Sequence, residues 1–502
     1  MKRRQFLGAA SGALAGASVK ALPMATRAAE RSSVRLKKPN VLVIVCDQLS
    51  WKALPVYGNR YARTPNIDRI ADRSVRFSRC YTGTALCMPT RASFWTGRLP
   101  HETGVLSNGR NHPTPPIPRD TRTLGSLFSD AGYHTAHFGK THDAGGLSGF
   151  GHIEPVKEAP VEGTDAWPVN YDTKQDRYTT PRVVEFLDQH EGDSFLAVAD
   201  LNNPHNICGW VGNNEGPHDD VPIPVDLPPL PPNFRDADFG KRPLPVQYIC
   251  CSHNRLSQAA QWNERNYRHY LAAYHHYIGL VDAEIGLILD ALESRRDADD
   301  MLVVFMADHG DGMGAHRMVT KQVSFIEETN HVPFMIAGPG VENAGVTLTE
   351  PLISLVDLLP TLCDYTGIQA PDGLWGRSLV PWLEGKRDGS PHEYIAGEWH
   401  TEWGYTISPG RMIRTPRYKY TRYIEGEGEE LYDLQRDPGE TRTLAGNPSY
   451  RNVLKEHRAL LDDHVRETGD PFFRLSFKAD PRWRSHTPGY QNHRGPTAPM
   501  AG

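Results

Sequence analysis

The chain predicts an α/β fold: a large, mostly parallel sheet flanked by helices, with a smaller antiparallel subdomain towards the C-terminus. Three observations predict it. Apolar, β-branched runs alternate with stretches of helical period. Clusters rich in Asp, His and Lys follow the ends of those runs, where open α/β sheets place their ligands. After Pro360 the texture changes to Tyr- and Arg-rich segments with hairpin signals. At 502 residues the chain is too long for one compact core, so a large domain with a smaller companion is expected.

Residues 1–29 read as an address rather than as fold. Lys2-Arg3-Arg4-Gln5-Phe6-Leu7 precede an Ala/Gly-rich run that is too short and too Gly-rich to span a bilayer. Twin arginines before Phe-Leu resemble a bacterial twin-arginine export signal, with cleavage expected near Ala28 or Ala29. No later segment is apolar for long enough to cross a membrane. A periplasmic or secreted protein without a membrane anchor is therefore expected.

Residues 40–46 (NVLVIVC) read as a buried parallel strand ending at Asp47. A helix is predicted over 126–131, then a strand over 133–138 that ends at Gly139-Lys140. A helix over 181–190 and a strand over 195–199 follow. The Pro- and Asp-rich stretch 217–245 reads as a long surface excursion. Leu271, Tyr274, Ile278, Val281, Ile285, Ile288 and Leu289 recur at helical spacing, which predicts the longest helix over 267–293. Strands are predicted over 301–306, ending at Ala307-Asp308, and over 332–337. Residues 411–437 suggest a hairpin around Gly426 and Gly428. The expected division is a catalytic domain over 38–390, a subdomain over 391–470 and a tail over 471–502.

The formal net charge of -5 gives no reason to expect nucleic acid as a partner. Positive potential for an anionic substrate must be local. Seven cysteines do not make a dense disulfide framework in a chain of this length, and no pairing is predicted, the adjacent Cys250 and Cys251 included.

The chemistry-bearing residues fall in an ordered series. Asp47-Gln48 ends the first strand. Cys87-Met88-Pro89-Thr90-Arg91, followed by Thr96-Gly97, reads C-x-P-x-R-x(4)-T-G. Lys140-Thr141-His142 follows Gly139, and His205 closes Asn202-Asn203-Pro204-His205. Asp308-His309-Gly310-Asp311 ends a later strand and leads to Gly314, His316 and Lys321. Carboxylates at neighbouring strand ends offer hard oxygen ligands to a divalent cation. A histidine suits an acid near neutral pH.

In this order the series resembles the type I, formylglycine-dependent sulfatases of the alkaline-phosphatase-like superfamily, in their cysteine-type form. The resemblance runs from Asn40 to Pro438 and includes the Glu430-Leu431-Tyr432-Asp433-Leu434 ending. It implies an enzyme that hydrolyses sulfate monoesters, on sulfated glycans or their fragments. It implies that a maturation enzyme converts Cys87 to formylglycine, whose hydrated aldehyde attacks sulfur. After the alcohol leaves, the hemiacetal sulfate collapses without an attacking water. It assigns Asp47, Gln48, Asp308, His309 and position 87 to one divalent cation, with Ca2+ the first expectation. A ring nitrogen also suits manganese or zinc. Arg91 would stabilise the hydrated aldehyde, Lys140 and Lys321 the sulfate, and His142 a gem-diol proton. His205 would protonate the leaving oxygen.

The chain departs from the common pattern in places. Asp47-Gln48 replaces a frequent Asp-Asp pair, His309 replaces an amide, and Thr141 stands where Trp is more usual. The first two changes resemble the choline sulfatase, phosphonate hydrolase and some glycan sulfatase branches. A phosphonate or phosphate ester hydrolase of the same fold is therefore one alternative. A catalytically silent carbohydrate-binding relative is another, distinguished by whether Cys87 is converted. For the sugar side, Trp399, His400 and Trp403 combine apolar rings with polar groups and are the expected subsite residues.

Overall fold

The computed structural model describes residues 38–108, 115–155, 175–212, 221, 224–235, 241–243, 245–246, 259, 262–321, 324–400, 409–424 and 428–475. The expected export signal at 1–29, parts of the expected excursion (217–220, 222–223, 236–240 and 244), Cys250, Cys251, Trp403 and the tail beyond 475 lie outside these residues.

Two sheets form the frame. Among the described residues the larger has nine strands: β1 (Asn40–Asp47), β2 (Val75–Tyr81), β3 (His134–Gly139), β4 (His152–Pro155), β5 (Phe195–Pro204), β6 (Met301–Ala307), β7 (His331–Ala337), β8 (Thr347–Leu348) and β9 (Ile353–Ser354). Their order is β4-β3-β5-β1-β6-β7-β2-β8, with β9 also on β2. The strands from β4 to β6 are mutually parallel, and β7 runs antiparallel to both its neighbours. Alternation of apolar runs and helices does not reveal that one reversed strand.

The centre of the sheet explains its sequence. β1 lies between β5 and β6 and is buried from Val41 onwards, so both faces are apolar and the run does not alternate. Around it pack α1 (Pro65–Arg73), α2 (Cys87–Thr96), α3 (Leu124–Asp130), α4 (Gln175–Gln189) and α5 (Glu264–Ser294). The Asn263 side chain caps α5 by accepting from the Asn266 amide. The buried face of α5 carries Tyr270, Tyr274, Ile278, Val281, Ile285 and Leu289, at spacings of three and four. Its predicted span needs only a few residues added at either end.

Elsewhere the elements run longer than expected. α4 begins at Gln175 and carries Pro181 inside it, whereas Pro at the first helical position is the commoner arrangement. β5 continues from Ala199 to Pro204 because Asp200, Asn202 and Asn203 are buried polar residues whose partners come from other elements. β2 and the C-terminal helix described next are absent from the sequence reading.

The second sheet lies within the expected 391–470 stretch. It orders β10 (Ile395–Trp399), β11 (Gly410–Arg414), β12 (Tyr418–Tyr423) and β13 (Glu429–Asp433), all antiparallel. α6 (Leu358–Thr366) precedes this sheet and α7 (Arg451–Thr468) follows it. α7 buries Leu454, Leu461 and Val465 against Ala396, Ile413, Tyr420 and Leu431 of this sheet.

Candidate active site

Parallel register builds the site. Cys46 of β1 faces Ala307 of β6, so Asp47 and Asp308 emerge side by side. On the other side Gly139 of β3 faces Asp200 of β5, which brings Lys140 to the same edge. Gly139 has a φ of 108°, and a Cβ there would overlap the Asp200 carbonyl, so only glycine lets β3 deliver Lys140.

Cys87 opens α2 and points into this edge. Its Sγ lies 3.2 Å from His309 Nε2, 3.7 Å from Lys140 Nζ and 3.9 Å from Asp47 Oδ1. One ligand atom each from Asp47, Cys87, Asp308 and His309 falls within 4.8 Å of the others, and all four residues are buried. His309 Nδ1 lies 3.0 Å from the Gly310 carbonyl, which only accepts, so the proton sits on Nδ1 and the Nε2 lone pair faces Cys87. Burial first, with Lys321 and Lys140 adding to it, lowers His309 to about 3, so its ring is neutral. Burial alone would raise Asp308. The Arg91 and Lys140 cations, with the Gln48 amide, instead hold it well below the usual carboxylate range. Two carboxylates, a neutral imidazole and the position 87 side chain form a donor set that fits a hard or borderline divalent cation.

Cations surround that set. Arg91 is wholly buried; its Nε donates to Asp308 Oδ2 at 3.0 Å and its Nη1 to Asp200 Oδ2 at 2.5 Å, with Nη2 3.7 Å from Asp47. Lys140 pairs directly with Asp47, and burial followed by Lys321 brings it down to about 8. Lys321 Nζ lies 2.9 Å from Gln48 Oε1 and 3.9 Å from Asp47 Oδ1. His142 is half-buried; burial and then Lys140 lower it to about 3, leaving a neutral ring that can accept a proton. His205 follows β5 on a turn closed by its own amide to the Asn202 carbonyl at 2.9 Å. Burial pushes the Cys87 thiol up, with Lys321 acting the other way.

Gln48 departs from expectation. Its Oε1, expected to face a cation, instead accepts from Lys321 and, at 3.2 Å, from Cys208 Sγ. Its Nε2 donates to Asp311 Oδ2 at 2.8 Å. An ammonium only donates and a carboxylate only accepts, so these neighbours fix the amide. Tyr270 donates to Asp311, and Tyr274 donates to the Gln48 carbonyl at 2.6 Å.

Trp399 is also corrected. It is 1 % exposed, with its ring against Phe325 and Tyr423, so it is a packing residue and not an open sugar platform. His400 is 2 % exposed and accepts from Arg411 Nη2 at 3.0 Å, inside a charge network.

The sequence reading missed Asp200, which anchors Arg91 and takes His137 Nε2 at 3.2 Å. The signal was present. FLAVAD ends in aspartate as NVLVIVCD and MLVVFMAD do, and only the latter two were singled out. Asp311, Tyr270 and Tyr274 carried no comparable signal, because helix spacing reads those tyrosines as core.

Residues 39–368 match the family described as Sulfatase, and residues 314–467 match the family described as N-sulphoglucosamine sulphohydrolase, C-terminal. A Delta 4,5-hexuronate-2-O-sulfatase from Bacteroides thetaiotaomicron is 48% identical over 92% of this chain and 96% of its own length. A choline-sulfatase from Rhizobium meliloti is 32% identical over 82% of this chain and 83% of its own. The solved structure of a 2-O GAG sulfatase superposes with a TM-score of 0.84 at 48% identity, covering 92% of this chain and 99% of that one. The chain belongs to the sulfatase family and is a sulfuric ester hydrolase.

Proposed function

We propose that this enzyme removes the 2-O sulfate from hexuronate residues of glycosaminoglycan fragments, with formylglycine made from Cys87 and one divalent cation, Ca2+ first. The observation that carries the substrate is the near full-length, 48% likeness to a hexuronate-2-O-sulfatase. The site supports the chemistry. The Cys87 thiol is buried and not activated as a thiolate, so a mechanism using it unmodified has little to recommend it. Asp47, Asp308 and His309 would hold the cation together with position 87. When bound, the cation draws charge off the sulfate oxygens, and formylglycine supplies a hydrated aldehyde as nucleophile.

The chain's own residues do the rest. Lys140 and Lys321 place ammonium groups beside the reacting position and offset the sulfate's charge. Arg91, held by Asp200 and Asp308, stiffens the helix start that carries position 87. His142 takes up a proton from the nucleophile. His205 delivers one to the departing sugar oxygen. Residues 1–29 direct export, and a formylglycine-generating enzyme is the maturation partner.

The test is sulfate release from defined disaccharides sulfated at single positions, together with the mass of the Cys87 peptide. The 2-O-sulfated unsaturated uronide should be cleaved fastest, and the peptide should be about 18 Da lighter than its thiol form. Faster release from 6-O- or N-sulfated glucosamine would refute the substrate. An unconverted Cys87 in active enzyme would refute the nucleophile.

A further inference from the structure

Asp176 lies on the first turn of α4 and is 1 % exposed. Its Oδ1 accepts from the Asn202 amide at 2.6 Å. Its Oδ2 accepts from the Asn203 amide at 3.0 Å and from Asn203 Nδ2 at 2.7 Å. One carboxylate thus fixes two consecutive peptide groups and a side chain just ahead of Pro204-His205. The same turn is braced from beyond, where Asn202 Nδ2 donates to Asn206 Oδ1 at 2.6 Å and the Cys208 amide donates to the His205 carbonyl at 2.9 Å.

α4 does not need this carboxylate to pack. Val183, Phe186 and Leu187 already bury its apolar face. A buried carboxylate is unfavourable unless its bonds are all made, and burial pushes Asp176 up to about 6 despite its three donors. All three bonds go to the backbone and side chain that precede His205.

We infer that Asp176 is a positioning residue for the leaving-group acid: it sets the Asn202–Asn203 turn so that His205 stands at the departing oxygen. This rests on the reading of His205 given under Proposed function.

The experiment is a double-mutant cycle of Asp176→Asn and His205→Ala, assayed on a 2-O-sulfated uronide disaccharide. The amide introduced by Asp176→Asn keeps one acceptor oxygen but turns an NH2 group towards the donors of Asn202 or Asn203. D176N should lower kcat by about 10- to 100-fold with KM within about twofold, a part of the roughly 100- to 10,000-fold that a general acid contributes, because the acid is displaced and not removed. The double variant should be no more than about twofold slower than H205A alone, since both remove the same contribution. Binding of inorganic sulfate by calorimetry and the melting temperature should stay near wild type. Asn203→Ala removes one of the three bonds and should show a milder kcat loss of the same kind, which keeps the test open if D176N folds poorly. Fully additive losses, or sulfate binding that falls in step with kcat, would overturn the positioning role. A wild type that releases sulfate while H205A matches it would overturn the acid assignment and the proposal with it. A wild type that releases no sulfate from any ester would instead overturn the function proposed above.

Discussion

Among the described residues, two buried groups of acid and histidine hold their ligand atoms close enough for one ion, and on the proposed mechanism one of them reacts. At the sheet edge, Asp47, Cys87, Asp308 and His309 bring their ligand atoms within 4.8 Å of one another. At the junction with the second sheet, His101, Glu398 and Asp470 do the same. The junction already contains its cation. Arg411 donates to both oxygens of Asp470 at 2.5 and 2.7 Å and to the Trp399 and Gly410 carbonyls at 3.3 and 2.8 Å. His101 donates from its amide and Nδ1 to Glu398 at 3.0 and 2.7 Å, and Nε2 meets the Thr468 carbonyl at 3.2 Å. Partners are matched donor to acceptor, and the charges lock α7 and β10 to the turn that follows α2. At the sheet edge Arg91 and Lys140 also pair with the carboxylates, but the four donor atoms converge on position 87. Residue types alone do not separate a reactive cluster from a clamp. What separates them is whether the donor atoms converge on one side chain, at position 87, or are paired off around Arg411.

That contrast can be broken by experiment. The largest effect is expected for Cys87→Ala, which should reduce sulfate release by at least about a thousandfold. Its melting temperature should stay close to wild type, because the side chain acts as a reagent. Residual turnover above that level would remove position 87 from the chemistry. Asp47→Asn and Asp308→Asn should each lose bound metal and at least about a hundredfold of activity together. Chelation of the wild type should mimic them, and re-addition of a divalent cation should reverse it. Elemental analysis finding no divalent metal in active enzyme would collapse the distinction between the two clusters.

At the junction the expected loss is in stability. Arg411→Met leaves Asp470 and Glu398 without their guanidinium and should destabilise the fold by about 3–5 kcal/mol in denaturant melts. Turnover per folded molecule should survive. A specific loss of turnover with an unchanged melt would move the junction into the chemistry.

The smallest effect concerns pH. Burial opposes protonation of His101, but Glu398 outweighs it and raises His101 to about 9 from an ordinary 6.5. A raised folded value stabilises fully below about pH 6.5 and is lost as pH climbs through about 9, an effect on the order of 3 kcal/mol. His101→Gln should therefore melt lower at pH 6 and show a flatter decline towards pH 9. Parallel curves for variant and wild type would show that this ion pair does not control the junction.

The strands that deliver the site were legible because a central parallel strand is apolar on both faces, so a terminal aspartate stands out against it. Asp47 and Asp308 were found that way, and Asp200 could have been. Lys140, His205 and Lys321 became readable only from their order along the chain, since an isolated lysine or histidine says nothing. The amide of Gln48 illustrates what sequence withholds. Its orientation depends on Asp311 and Lys321, more than 260 positions away, and no local pattern records that contact. Trp399 failed for a related reason. A tryptophan between Glu and His reads the same on paper whether its face meets a sugar or Phe325. The Arg411–Asp470 pair joins residues 59 apart, beyond any helical or strand period.

The burial of α2 has a consequence in time. From Cys87 to Thr96 every residue except Met88 is buried. On the proposed mechanism the sulfur at position 87 must be exchanged for an aldehyde oxygen, yet in the folded chain Cys87 is 1 % exposed, and a second enzyme would have to draw its helix out of the packing to grip it. Conversion is thus a race with folding, and a chain that folds first is sealed as an inert thiol. Two preparations with identical melts and identical purity can differ in activity, with the difference written during synthesis. Slowing the folding of α2 onto the sheet, or raising the supply of the converting enzyme, would lift the active fraction without altering a single contact in the finished structure.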